Sequence, residues 1–110
     1  MKILALVMLL TPAYALSPAA REFMSITKEL EPVQCQKRQL RRELARAEIE
    51  QREDDVNQLR AKFAALDKDR KVLKLERRLS ELQPQVSRSS DPDDLPAISL
   101  QQREAFYRCE

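Results

Sequence analysis

Three apolar stripes recur at helical spacing, and no single straight helix can put them on one side. Val33, Leu40, Leu44 and Ala47 line one face, Val56, Leu59, Phe63 and Leu66 a second, and Val72, Leu75, Leu79 and Leu82 a third. Each stripe is coherent in itself. From Ala47 to Val56, however, the phase at about 100° per residue swings to the opposite side of a continuous helix, and from Leu66 to Val72 it swings by roughly 120°. A rod would show its apolar side chains in every direction and could form no single coiled-coil seam. Breaks at both joints remove the conflict. The first is expected within EIEQREDD, where Asp54 or Asp55 would cap the next helix, and the second within LDKDRK, where Asp67 or Asp69 would do the same. With no glycine in the chain, one of the joints could be a bend instead of a turn. A folded-back helical body is favoured over the rod.

The remaining boundaries follow from proline, serine and aspartate. Ser17 before Pro18 gives an N-cap followed by proline at the first helical position, and Phe23, Ile26 and Leu30 continue at helical spacing. Glu31-Pro32 is expected to interrupt this helix, with a second one restarting at Pro32. Residues 16–83 thus form the helical body. Residues 84–97, with Pro84, Pro92, Pro96, Ser87, Ser89 and Ser90, read as a Pro/Ser/Asp-rich loop. Residues 98–110 read as a short C-terminal helix opened by a Ser99–Gln102 capping box, with Leu100, Arg103 and Tyr107 on one face and Phe106 beside them. The class is all-α: a small helical hairpin or bundle whose last helix docks on the body.

Residues 1–15, MKILALVMLLTPAYA, carry one lysine, an apolar block from Ile3 to Leu10, Pro12, and the small-x-small pair Ala13 and Ala15. This is the pattern of a cleaved signal peptide, and the block is well short of the ~20 residues of a membrane span. No transmembrane span is expected after cleavage, and the short single-lysine form favours a bacterial periplasmic or secreted destination. In an exported chain the two cysteines, Cys35 and Cys109, favour a disulfide. A single helix over residues 35–83 would separate its ends by roughly 72 Å, while the return segment to Cys109 reaches ~85 Å only if fully extended and roughly 70 Å if partly helical. A bridge within the chain and an unbroken rod are thus nearly incompatible; a bridge between chains, in a parallel coiled-coil dimer, is the competing arrangement.

Removing Lys2 with the leader takes the 20 basic residues to 19, against 18 acidic ones. That balance points away from nucleic acid. Glycine and histidine are both absent, so phosphate-binding glycine loops, histidine catalysis and histidine metal sites are excluded. Ser25, Thr27 and Ser99 therefore lack a histidine base, and the cysteines are too far apart for a Cys-x-x-Cys redox pair. The run SDPDD offers Asp91, Asp93 and Asp94, but without the glycine and distant glutamate of a calcium loop it reads as a helix-initiating turn. No catalytic set, cofactor or metal site is expected.

Lys37, Arg38, Arg41, Arg42 and Arg46 lie within about two and a half turns and form a candidate face for an anionic surface or an acidic partner. The plainer reading is a solvated face answered by Glu48, Glu50, Glu53, Asp54 and Asp55, with basic and acidic blocks pairing between neighbouring helices. The second basic group, Lys68, Arg70, Lys71, Lys74, Arg77 and Arg78, is read in the same way.

The order Cys35, Glu43-Leu44, Ala47-Glu48, Gln51, then Val56, Leu59, Phe63 and Leu66 resembles the YqjC-like family of small periplasmic helical proteins. The resemblance covers about a third of the chain. It departs at the turn, which lacks glycine, and at the second cysteine, which lies at the far end instead of just after Leu66. What it implies is a turn after the first helices and an envelope location; it carries over no catalytic residue. The expected function is noncatalytic: an exported helical protein acting through an envelope protein partner, or alternatively through an anionic polymer or membrane surface.

Overall fold

The computed structural model describes residues 16–109; the expected signal peptide lies outside the described residues. Four helices follow in order: α1 Pro18–Ile49, α2 Glu53–Asp67, α3 Arg70–Ser87 and α4 Asp94–Arg108. The 32 residues of α1 make a spine of about 48 Å. The 15 residues of α2 and 18 of α3 return along it as one interrupted helix of matching length. α2 is antiparallel to the C-terminal half of α1, as the contacts of Lys37 with Asp67, Arg41 with Phe63 and Glu48 with Arg60 show. α3 lies against the N-terminal half, with Arg78 on Glu22. The fold-back expected from the phase mismatch is thus present, and the rod is not.

Where the first joint falls, the local chemistry differs from expectation. α1 ends at Glu50, with Gln51 at φ 56°, in the left-handed region that glycine usually fills. The Arg52 N–H donates to the Ala47 carbonyl at 2.9 Å and the Gln51 N–H to Glu48 at 3.2 Å, the paired closure of a Schellman motif. Neither Asp54 nor Asp55 caps α2. Arg52 holds the N-cap position without a side-chain bond, and Glu53, Asp54 and Asp55 occupy the first turn, where their charge meets the positive helix end. At the second joint Asp69 does cap α3, accepting from Lys71 N at 2.9 Å and Val72 N at 3.1 Å.

Two proline-based boundaries are corrected. α1 runs through Pro32 without a break. The ring lies on an exposed side of the helix, so the carbonyl that loses its partner can face water, and the packing of Ile26 and Leu30 before it and Leu40 after it holds the helix together. Likewise α3 continues over exposed Pro84 to Ser87, and α4 opens at Asp94 with Pro96 in its first turn, where a missing N–H costs nothing. The loop expected over 84–97 contracts to Arg88–Asp93, and Ser99 is inside a helix, not at its cap.

The core sits in the three-helix half. Ile26, Leu30, Val72 and Leu82 form one cluster, with Phe23, Val33, Leu75 and Leu79 packed against it. Ala20, Val86 and Ile98 form a second at the end where α4 begins. α4 then runs parallel to α1 in strict register. Ser17, Met24 and Glu31 bond to Asp94, Gln101 and Arg108, each pair 77 residues apart. Its far end is closed by the Cys35–Cys109 disulfide, with Cα atoms 5.4 Å apart. Both cysteines are thereby paired within the chain, as the folded-back arrangement requires. The apolar side chains of α4 divide unequally. Ile98 and Ala105 are buried, whereas Leu100, Phe106 and Tyr107 are 47%, 50% and 71% exposed. The molecule measures 65 × 31 × 23 Å, its long axis set by α1 and the α2–α3 return.

Candidate functional site

The five basic residues of the 37–46 run do not act as one face. Lys37 turns into the α1–α2 seam, where it is buried and its Nζ lies 2.6 Å from Asp67 Oδ1 and 5.7 Å from the centre of the Phe63 ring. A burial of this kind is stable only with a charge partner, and Asp67 supplies it. Lys37 is therefore structural. Arg46 is exposed over a polar hollow shared with Glu43, Arg52, Asp55, Gln58 and Lys62. Arg38, Arg41 and Arg42 remain, and these the fold does bring together.

They meet where α4 ends. Arg38, Arg41, Arg42, Phe106 and Cys109 line an open hollow of about 220 Å³. The Arg38 guanidinium lies 5.0 Å from the centre of the Phe106 ring, and that of Arg41 lies 5.3 Å from the centre of Phe63. Such stacking fixes each guanidinium while leaving its in-plane donors free. Among the described residues none of these three arginines forms an ion pair, and the buried Nε of Arg38 has no hydrogen-bond partner. Tyr107 packs edge-on against Phe106 at 5.9 Å and extends the aromatic rim outward. The hollow thus joins a cationic side to an apolar wall. It suits a group that is acidic at one end and apolar at the other.

The expected pairing of the basic and acidic blocks holds only in part: the second basic group contributes Arg78 alone, and Glu48, Glu50 and Asp55 pair with Arg60 and Arg52 instead of with the 37–46 run. Arg78 grips both oxygens of Glu22 at 2.6 and 2.7 Å, and Arg108 grips Glu31 at 2.9 and 3.1 Å. The hydrogen bond from Arg78 holds the Glu22 carboxyl below its ordinary value of 4.5, and that from Arg108 does the same for Glu31. At the tip of the hairpin Arg52 bridges Glu50 and Asp55.

Sequence reading missed Asp94. It was one of three aspartates in a helix-initiating turn; in the fold it is fully buried. Its carboxylate accepts from Ser17 N at 3.0 Å, from Ser17 Oγ at 2.6 Å and from Ser89 Oγ at 2.5 Å. The Ser17 hydroxyl, then the Ser89 hydroxyl, hold it below the ordinary aspartate value of 3.8. Ser17 meanwhile caps α1 by accepting from Ala20 N at 3.2 Å. One carboxylate therefore welds the start of α4 to the start of α1 across 77 residues. No local pattern in SDPDD distinguishes Asp94 from Asp91 or Asp93; only the partner, far away in sequence, does. Asp91 serves the turn itself, accepting from Asp93 N at 3.0 Å.

Compared with known protein families, curated proteins and solved structures, the chain matches none. Among the described residues no helix is long and apolar enough to cross a membrane.

Proposed function

We propose that this chain is a noncatalytic, exported helical protein, periplasmic or secreted, that works by binding an acidic segment of another envelope protein at the arginine hollow. The observation that carries this reading is the convergence of Arg38, Arg41 and Arg42 beside an exposed aromatic ring, none of them in ion-pair contact with a carboxylate among the described residues. Guanidiniums gathered beside an exposed ring and an apolar wall mark a surface suited to being covered. The disulfide fits an oxidising compartment, the apolar leader of residues 1–15 fits export, and the resemblance to the YqjC-like family leans the same way. Crosslinking in intact cell envelopes, comparing wild type with Arg41→Glu/Arg42→Glu, tests it. One partner held by the wild type and lost by the variant is the expected result. A chain that crosslinks to nothing, or identically in both forms, refutes it.

The same three arginines support a second reading, contact with an anionic membrane or polymer surface. Binding to vesicles containing phosphatidylglycerol would then weaken with salt and with the same charge reversal. Equal binding to neutral vesicles removes that reading.

A further inference from the structure

The track that α4 occupies on α1 does not end where α4 ends. Ser17, Met24 and Glu31 meet α4 at seven-residue spacing, and the same line continues as Arg38, Arg42, Ala45 and Ile49. At about 100° per residue Ile49 lies within about 20° of Arg38, while Ala47 and Leu40, which face α2, lie roughly opposite. Among the described residues nothing covers the last three positions. Arg42 and Ala45 are exposed, and Ile49 is 82% exposed, the most exposed of the large hydrophobic side chains. An isoleucine held in water at the tip of a molecule, 11 residues from an apolar hollow on the same helix face, invites an explanation by docking.

We propose that a second copy of this chain covers this strip, α1 against α1, antiparallel about a two-fold axis near residues 43 and 44, each copy inserting Ile49 into the arginine hollow of the other. The proposal rests on the reading of that hollow as an interaction surface and names what fills it when no envelope partner is bound. In this register the partner's Ile49 sits at the height of Arg38, beside Phe106 and Cys109, and Ala45 faces the partner's Arg42. The hollow of about 220 Å³ accommodates an aliphatic side chain. One flank agrees. Around a two-fold axis like flanks meet, so the flank carrying Arg41 and Glu48 meets its own copy. Arg41 then lies about 3 Å along the axis from the position opposite the partner's Glu48, within the reach of an arginine. An acidic peptide from elsewhere would leave Ile49 in water; the second copy covers Ile49, offers Glu48 to Arg41, and is closed by symmetry.

The contact is short. About 18 Å of helix, plus the end of α4, falls below the ~800 Å² per partner of a standard interface. Association is therefore expected in the high-micromolar range, with monomer at nanomolar concentration.

Sedimentation velocity of the oxidised, full mature chain over that concentration range tests the proposal. Ile49→Arg should weaken association at least about tenfold, as loss of a central anchor does. Arg41→Glu and Glu48→Arg should each dissociate alone, because each homodimer then opposes like charges. Their one-to-one mixture should associate again, since both cross-pairs are restored in the mixed dimer. A photo-crosslinker in place of Ile49 should capture the peptide holding Arg38 to Arg42. A chain that stays monomeric at millimolar concentration overturns the proposal, as does a dimer indifferent to Ile49→Arg or a mixture that fails to recover. If the dimer is absent while Arg41→Glu/Arg42→Glu still abolishes capture of an envelope partner, the proposed function stands and only the second copy is refuted.

Discussion

Replacing both cysteines (Cys35→Ser/Cys109→Ser) isolates what the disulfide contributes. The bond joins residues separated by 74 positions, and closing a loop of that length removes roughly 4 kcal/mol of unfolded-chain entropy at 25 °C in the chain-entropy model. The folded side loses less. Without the bond α4 is still held at its start by Asp94 on Ser17 and Ser89, in the middle by Gln101 on the Met24 carbonyl, and near its end by Arg108 on Glu31. Its apolar contribution is small, since only Ile98 and Ala105 of its apolar side chains are buried. The variant should therefore remain helical but lose about 2–4 kcal/mol in urea unfolding followed by circular dichroism. Hydrogen exchange should show the loss unevenly, with the amides of 103–109 opening first and those around Leu30 and Leu82 last. A change below about 1 kcal/mol, or a C-terminal turn still as protected as the middle of α1, would show that packing and not the bond holds α4 in place.

Three further outcomes follow from single side chains. Asp67→Ala leaves the buried Lys37 ammonium without its partner and should cost about 1–3 kcal/mol, whereas Lys37→Met removes the charge together with its need and should cost less; a denaturant series that reverses this order refutes the structural role given to Lys37. Asp94 has a folded pKa below its ordinary 3.8, so its stabilisation is complete above that value and is lost as pH falls through the lower folded one; Asp94→Asn should be less stable than wild type at neutral pH, with the gap narrowing below about pH 3.8, and a gap independent of pH would show that the carboxylate charge is idle. Gln51→Gly should raise the unfolding midpoint by the equivalent of about 0.5–1 kcal/mol, because the φ of 56° suits glycine; destabilisation would mean that the Gln51 side chain holds the turn.

How much could be read from the residues depended on whether the signal was periodic or pairwise. The phase conflict among the three stripes located both joints, since a helix rotates by a fixed angle per residue and the apolar positions record it. Ser17 and Asp69 were legible as caps because capping is decided within three residues. Pro32, Pro84 and Pro96 misled for the converse reason: a proline removes one bond locally, and whether the helix survives is settled by tertiary burial that the local sequence does not display. Gln51 in a slot favoured by glycine is the same case. The candidate site was half legible. The run of arginines was visible, but which of them would be consumed depended on Asp67 thirty residues away, and the role of Phe106 depended on α4 stopping beside Arg38.

That stopping point divides the molecule into unequal halves. Below Cys35, α1 is packed on two sides, by α3 and α4, and both apolar clusters lie there. Above it, α1 has only α2, and a two-helix hairpin can bury one side of each helix and no more. Leu40, Ala47 and Val56 are its buried apolar side chains; the rest of its seam is filled by the Lys37–Asp67 pair and by Arg41 laid over Phe63. Cation–aromatic packing of this sort tolerates solvent and also accepts a further layer, as an aliphatic core would not. The disulfide that fastens α4 also supplies Cys109 as a wall of the hollow. Freeing the tail should therefore damage stability and binding together, while reversing Arg42, which lies over no ring among the described residues, should damage binding alone. That separation is what distinguishes a hairpin left open for a partner from one that is merely thinly packed.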